Sequence, residues 1–324
     1  MAVLKRCFTV LSAQCVLTFA LATANAAGFP DRPVRFIVGF APGGSTDTSA
    51  RIVARKLSEI WGQPVVVENR AGADSTIAGE AVARASSDGH TLLWASNAHT
   101  IAAGMHKLNY DSVKSFAAVT QMGYIPDFLV VHPSLAVSSV KDLILLAKAK
   151  PGQINFGSSG AGTSPYLEMA LLMKLTGINL VHVAYKGGAP ALVALLGGEV
   201  QLLFGSLSNT ASQVKAGKVR ALAITGTVRS SLAPEVPTMA EAINLNDFVS
   251  SSPWNGLMAP AQTAKSIVKK LHADAVAAIR SPDAQKALTD LGFVIVADTP
   301  EQFTKTVAND VARWSSLLKT IDIK

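Results

Sequence analysis

A chain of 324 residues, 49 % hydrophobic, is long enough to bury the cores of two domains of ordinary size. Its formal net charge of +7 is spread along the sequence with no basic block and no interleaving of aromatic with basic residues, which argues against a nucleic-acid partner. A mild positive field of this kind favours the approach of a small anion.

The first stretch does not read as part of the fold. Lys5 and Arg6 form a short positive region, an apolar run covers residues 7–22, and Ala24-Asn25-Ala26 supplies a small-x-small cleavage signal. Residues 1–26 therefore read as a signal peptide, with a mature chain from Ala27 exported as a soluble monomer. The apolar run falls short of the ~20 residues that span a bilayer. Cys7 and Cys15 both lie inside it, so the mature chain would carry neither a disulfide nor a thiol nucleophile.

Beyond the leader, β-branched runs alternate with helical patterns. Val34-Arg35-Phe36-Ile37-Val38 predicts a buried strand, followed by a loop and a helix with Ala50, Val53, Ala54, Leu57 and Trp61 on one face. Strands are then predicted at 65–67, 91–95 and 128–131, with a helix over 78–85. From residue 140 the rhythm repeats: helices over 140–149, 165–175 and 190–196, strands over 154–157, 180–184 and 200–204. Two amphipathic helices, 266–279 and 299–318, end the chain. Such alternation predicts α/β architecture, mostly parallel sheets with helices on both faces. Pro and polar residues interrupt it at 124–134 and at 229–238, the expected crossings between two lobes. One lobe would comprise 27–126 plus 229–324, the other 127–228.

Several chemistries lack their signatures. His90, His99, His106, His132, His182 and His272 show no metal-type spacing, and no serine sits in a G-x-S-x-G elbow. Gly43-Gly44 lacks the Lys-Ser/Thr of a phosphate loop, and Pro165 stands where a dinucleotide fingerprint needs its third glycine. Neither a metal nor a cofactor is expected.

What remains is a set of strand-to-helix loops rich in small residues and hydroxyls. In Phe40-Ala41-Pro42-Gly43-Gly44-Ser45-Thr46-Asp47, Ser45 or Thr46 can cap the following helix, whose exposed N–H groups and partial positive charge make an anion site. In Gly157-Ser158-Ser159-Gly160-Ala161-Gly162-Thr163-Ser164, Pro165 suits the first helical position and makes Ser164 the expected cap. Each loop alone also fits a tight turn with a helix cap. Two of them, at carboxyl ends of strands in different lobes, point to a ligand cleft. Loops bearing Ser75 and Thr76, Asn97, Tyr185, and Gly205 with Ser206 follow other predicted strands and would complete the wall. Asp47, in a first helical turn, is better suited to bracing the helix pole than to proton transfer.

A wider pattern runs through the same residues. Ala41-Pro42-Gly43-Gly44 with Asp47 and Ala50-Arg51, Glu68-Asn69-Arg70 with Gly72, Ser87-Asp88-Gly89-His90-Thr91-Leu92-Leu93, Gly160-Ala161-Gly162-Thr163-Ser164, Tyr185-Lys186-Gly187-Gly188-Ala189-Pro190-Ala191, Leu195-Leu196-Gly197-Gly198-Glu199-Val200 and Pro234-Glu235-Val236-Pro237-Thr238-Met239-Ala240-Glu241 resemble, in order, the Bug-type (TctC-like) receptors of tripartite tricarboxylate transporters. The resemblance implies a two-lobed type II periplasmic-binding-protein fold that closes like a flytrap. It implies a periplasmic receptor without catalysis, a small mono- or dicarboxylic acid ligand (aromatic acids included), and delivery to membrane transporter subunits. Carried onto this sequence, Ala41, Ser45, Thr46 and Asp47 would grip one carboxylate from one lobe and Ser158, Gly160, Gly162, Thr163 and Ser164 from the other, partly through water. Three departures stand out: Asn69-Arg70-Ala71-Gly72-Ala73-Asp74-Ser75 is poorer in glycine than the family's stretch, Tyr166 replaces a common His, and Gly205 replaces a common Asp. Loss of that acid implies a roomier, less negative pocket and a ligand without an amino group. Two other readings use the same cleft: an exported hydrolase or lyase with Asp47, His99 or Tyr185 as acid-base groups, and a sensory partner of a membrane kinase.

Overall fold

A computed structural model describes residues 28–160, 163–185, 187–230, 232–244 and 252–320; the leader with Cys7 and Cys15, and Gly162, lie outside the described residues. Two sheets carry the chain. The first holds six strands in the order β11-β4-β10-β3-β1-β2, namely β1 (Val34–Val38), β2 (Val65–Asn69), β3 (Thr91–Ser96), β4 (Phe116–Tyr124), β10 (Trp254–Pro260) and β11 (Val294–Ile295). The second holds five in the order β7-β6-β8-β5-β9, namely β5 (Asp127–Val131), β6 (Asn155–Ser158), β7 (Val181–Ala184), β8 (Leu202–Ser206) and β9 (Arg220–Ile224). β1 runs parallel to β2 and β3, and β6 to β7 and β8. The strands at the crossings, β10 and β5, run antiparallel to their neighbours.

The apolar runs are continuous because both faces of each sheet are covered. Along β5, Leu129 and Val131 enter one core and Phe128 and Val130 another, as the alternation of side chains across a strand requires. β1 divides likewise, Phe36 and Val38 against Ile37. The covering helices are α1 (Ser45–Trp61), α2 (Thr76–Ala83), α3 (Ala98–Met105), α4 (Val140–Ala149), α5 (Ser164–Thr176), α6 (Gly188–Leu196), α7 (Leu207–Lys215), α8 (Met239–Ile243), α9 (Lys265–Arg280), α10 (Pro282–Asp290) and α11 (Pro300–Leu318). Strands β4, β9, β10 and β11 fall where the pattern predicted none.

The chain passes from the first sheet to the second at Ile125-Pro126, between β4 and β5. The return does not lie at 229–238. Ala233 and Val236 are buried in the core that holds Ile224, Thr238 bridges Ile224 in parallel, and Met239 enters the other second-sheet core. The chain therefore stays with the second sheet through Ile243 and rejoins the first at Trp254. Pro234 and Pro237 mark turns over that sheet rather than a crossing. Their prolines break strand periodicity wherever they fall, so the pattern could not tell a linker from a cover.

One anchor sets the position of β10. Trp254 Nε1 donates to Asp310 Oδ2 at 2.6 Å, Arg313 pairs with the same carboxylate, and Phe303 lies edge-on to the Trp254 ring at 5.1 Å. Gly256 lets Phe303 approach, since a Cβ there would stand 2.4 Å from its ring. The last helix thus fixes a strand that begins at the cleft.

Candidate functional site

Loops at the carboxyl ends of β1, β3, β6 and β8 meet around a cleft of about 370 Å³. Phe40, Ser45, Thr46, Ser96 and Asn97 line it from the first lobe, and Ser158, Thr163, Ser164, Gly205 and Ser206 from the second. Ile101, Ile125, Leu203, Phe204 and Trp254 give it an apolar floor.

The β1 loop is shaped by one close approach. A Cβ on Gly39 would lie 1.9 Å from Ser75 Oγ and 2.9 Å from the Ser75 backbone. Ser75 is thereby buried under the loop, at φ 71°. Gly39→Ala is expected to displace the loop, costing about 1–3 kcal/mol by overpacking. Thermal unfolding together with ligand titration measures it, and both unfolding temperature and affinity should fall.

Helix α1 then starts at Ser45 with Gly44 as its cap, so neither Ser45 nor Thr46 caps it, and no side chain does. Asp47 braces the turn instead. It accepts from Gly43 N at 2.9 Å, Arg51 Nε at 2.9 Å and Asn69 Nδ2 at 2.8 Å. Burial pushes its carboxyl up, but the hydrogen bonds from Arg51, Gly43 and Asn69 outweigh this and hold it at about 2. Thr46 Oγ1 accepts from Asn255 Nδ2 at 3.3 Å, which ties the helix start to β10.

The second loop follows the same plan. Helix α5 starts at Ser164, one residue earlier than expected, with Thr163 as its cap and Pro165 in the first turn. The Thr163 hydroxyl donates to Gly160 O at 2.7 Å, so it stabilises the loop and leaves the helix N–H groups without a side-chain cap. Ser158 Oγ accepts from Gly160 N at 3.1 Å and lies 2.7 Å from His182 Nε2. Across the cleft, Asn97 Nδ2 donates to Ser164 Oγ at 2.8 Å. Two uncapped helix starts thus face one gap from opposite lobes.

Residues 49–323 match the family model described as the tripartite tricarboxylate transporter family receptor. The chain belongs to that receptor family. BugT of Bordetella pertussis is 37 % identical over 306 residues, covering 94 % of this chain and 93 % of that protein. The R. palustris protein Rpa4515, solved with adipate, is 32 % identical with a TM-score of 0.74, covering 90 % of this chain and 98 % of that one. MatC from Rhodopseudomonas palustris, solved with bound malate, is 31 % identical with a TM-score of 0.72, covering 90 % of this chain and 100 % of that one. The fold is that of a two-lobed periplasmic binding protein, and the family is one of receptors rather than enzymes.

Not every expected residue of the receptor reaches the cleft. Ala41, Asp47, Ser75, Thr76, Gly160 and Tyr185 do not line it. Ala41 is exposed, Thr76 opens α2, and Tyr185 covers Gly157 with its hydroxyl 3.4 Å from Glu199. The groups proposed for acid-base chemistry fare the same way. His99 is fully buried, stacked on Tyr110 and bonded to Ser112 O, with burial pulling it down to about 4. None of Asp47, His99 and Tyr185 lines the cleft.

Lining residues that the sequence pattern did not single out for the site include Asp74, Asp127, Trp254 and Asn255. Trp254 and Asn255 belong to the unpredicted β10. Asp127 opens β5, one residue before the predicted strand, and is 2 % exposed in the cleft wall. Its register partner is Ser206, beside Gly205. The cleft wall that Gly205 lines still carries acids, Asp127 from the adjacent strand and Asp74 from the first lobe. The only available signal for Asp127 was a lone carboxylate between Pro126 and an apolar run.

Proposed function

We propose that this receptor closes its two lobes over one small carboxylate in the periplasm and delivers it to a membrane transporter of the tripartite tricarboxylate type. The observation that carries the reading is the pair of uncapped helix starts, α1 and α5, aimed at one cleft from different lobes. Each start offers unsatisfied N–H donors and about half a positive charge, which together can take a carboxylate without a cationic side chain. The adipate and malate bound by similar receptors support that ligand class. Ser45, Thr46 and Asn97 would contact the acid from one side, Ser158, Thr163, Ser164 and Ser206 from the other. The apolar floor suits the body of an aliphatic or aromatic acid.

Closure would turn about Ile125-Pro126, where the chain passes from the first sheet to the second. The ligand drives it only by its greater affinity for the closed form, which the transporter would recognise. Export through a cleaved leader over 1–26 would place the receptor in the periplasm.

A thermal-shift screen of mono- and dicarboxylates tests the ligand class. An acid present at 100 times its dissociation constant should stabilise the protein by about 2.7 kcal/mol. Shifts confined to sugars or simple amines would overturn it.

A further inference from the structure

The cleft wall contains an acid pair that holding one carboxylate does not require. Asp127 lines the cleft at 2 % exposure, and Glu168, fully buried on α5, lies one helical turn beyond Ser164 and shares a hydrogen bond with the Asp127 carboxyl. Asp127 N donates to Thr225 Oγ1 at 2.9 Å, which seats the backbone of β5. A single proton shared between two carboxyls leaves the pair with more acceptor oxygens than donors, so a further donor at the cleft face of Asp127 is favourable.

Resting on the carboxylate-receptor reading, we infer that Asp127, braced by Glu168, is the specificity residue of this cleft: it takes a hydrogen-bond donor, a hydroxyl or an ammonium, on the ligand's second polar group and disfavours a second carboxylate there. Two adjacent buried carboxyls do not both ionise, so one proton stays with the pair while negative charge remains on it. Burial pushes the Asp127 carboxyl above its ordinary range, in keeping with that sharing. A second ligand carboxylate would bring a further negative charge against the pair in a desolvated wall. A hydroxyl or ammonium on the ligand donates to the Asp127 carboxyl instead. Among the described residues lining the cleft no lysine, arginine or histidine stands ready for a second carboxylate. Glu168 acts through Asp127 and is a positioning residue.

The test is calorimetric titration with matched acids that differ only at the far end: butyrate, γ-hydroxybutyrate, γ-aminobutyrate and succinate; hexanoate, its ω-hydroxy and ω-amino forms, and adipate; benzoate, para-hydroxybenzoate and terephthalate. In at least one series the hydroxy or amino member should bind about tenfold tighter than both the unsubstituted acid and the diacid. Asp127→Asn should erase the ammonium preference and tighten the diacid by about tenfold relative to the unsubstituted acid. Glu168→Gln should shift the same ranking in the same direction by less, with cooperative unfolding retained in both variants. A ranking in which the diacid leads and Asp127→Asn changes nothing would overturn the inference while leaving the carboxylate reading intact. Binding by no acid of any series would remove both.

Discussion

Ser164→Asp is expected to leave the receptor folded and to weaken carboxylate binding by about a hundredfold, or about 2.7 kcal/mol. Ser164 is the first residue of α5 and lines the cleft. An aspartate in a first helical turn interacts favourably with the helix pole, by about 0.3–1 kcal/mol, and Asn97 can still donate to it. The same carboxylate occupies the pole that the ligand needs and repels it. Two unit charges about 4 Å apart near a protein surface interact by about 4 kcal/mol, more than enough to cancel the attraction. Ser164→Ala, which removes a hydroxyl without adding charge, should cost only about 1–3 kcal/mol. Calorimetric titration of the best acid from the screen, with thermal unfolding alongside, separates these effects. Full affinity in Ser164→Asp would mean that the helix start does not hold the ligand.

Asp47→Ala is expected to lower stability by about 2–3 kcal/mol, because it removes the acceptor of the Gly43 N–H, of Arg51 Nε and of one N–H of the Asn69 amide. The pH dependence has a definite sign. The folded carboxyl is held at about 2, below its ordinary 3.8, so its contribution of about 2 kcal/mol is present above about pH 4 and disappears as pH falls toward 2. Denaturant unfolding of the parent and of Asp47→Asn should therefore differ most near neutrality and converge on acidification. A constant gap down to pH 2 would show that the ionised form carries no special stability. Ligand affinity should also fall in Asp47→Ala at neutral pH, since the carboxylate fixes the turn from which α1 projects.

The β1 loop illustrates how far the residue pattern reaches. Phe40-Ala41-Pro42-Gly43-Gly44-Ser45 announces a turn into a helix, and that is local chemistry: glycines, a proline and hydroxyls before an amphipathic face. The identity of the cap was not legible, because Ser45 and Thr46 compete with Gly44 and Asp47 decides the outcome through its bond to Gly43. Ser75 shows the opposite case. Its loop follows a strand as expected, yet the strand neighbour Gly39 draws it underneath and away from the cleft. β10 escaped notice because Trp254-Asn255-Gly256 does not alternate and carries a glycine, whose reason is the Phe303 ring from α11.

The strands and helices from β1 to β3 and from β5 to β8, the alternation of cores across each sheet and the two helix starts at strand ends are properties of short stretches of chain, and the sequence by itself determined them. Which hydroxyls face the gap, where the chain rejoins the first sheet, and the meeting of Asp127 with Glu168 were decided by tertiary structure alone. Those depend on residues far apart in the chain whose distances are set by the packing of β5 against α5 and of α11 against β10, and no local pattern encodes such distances.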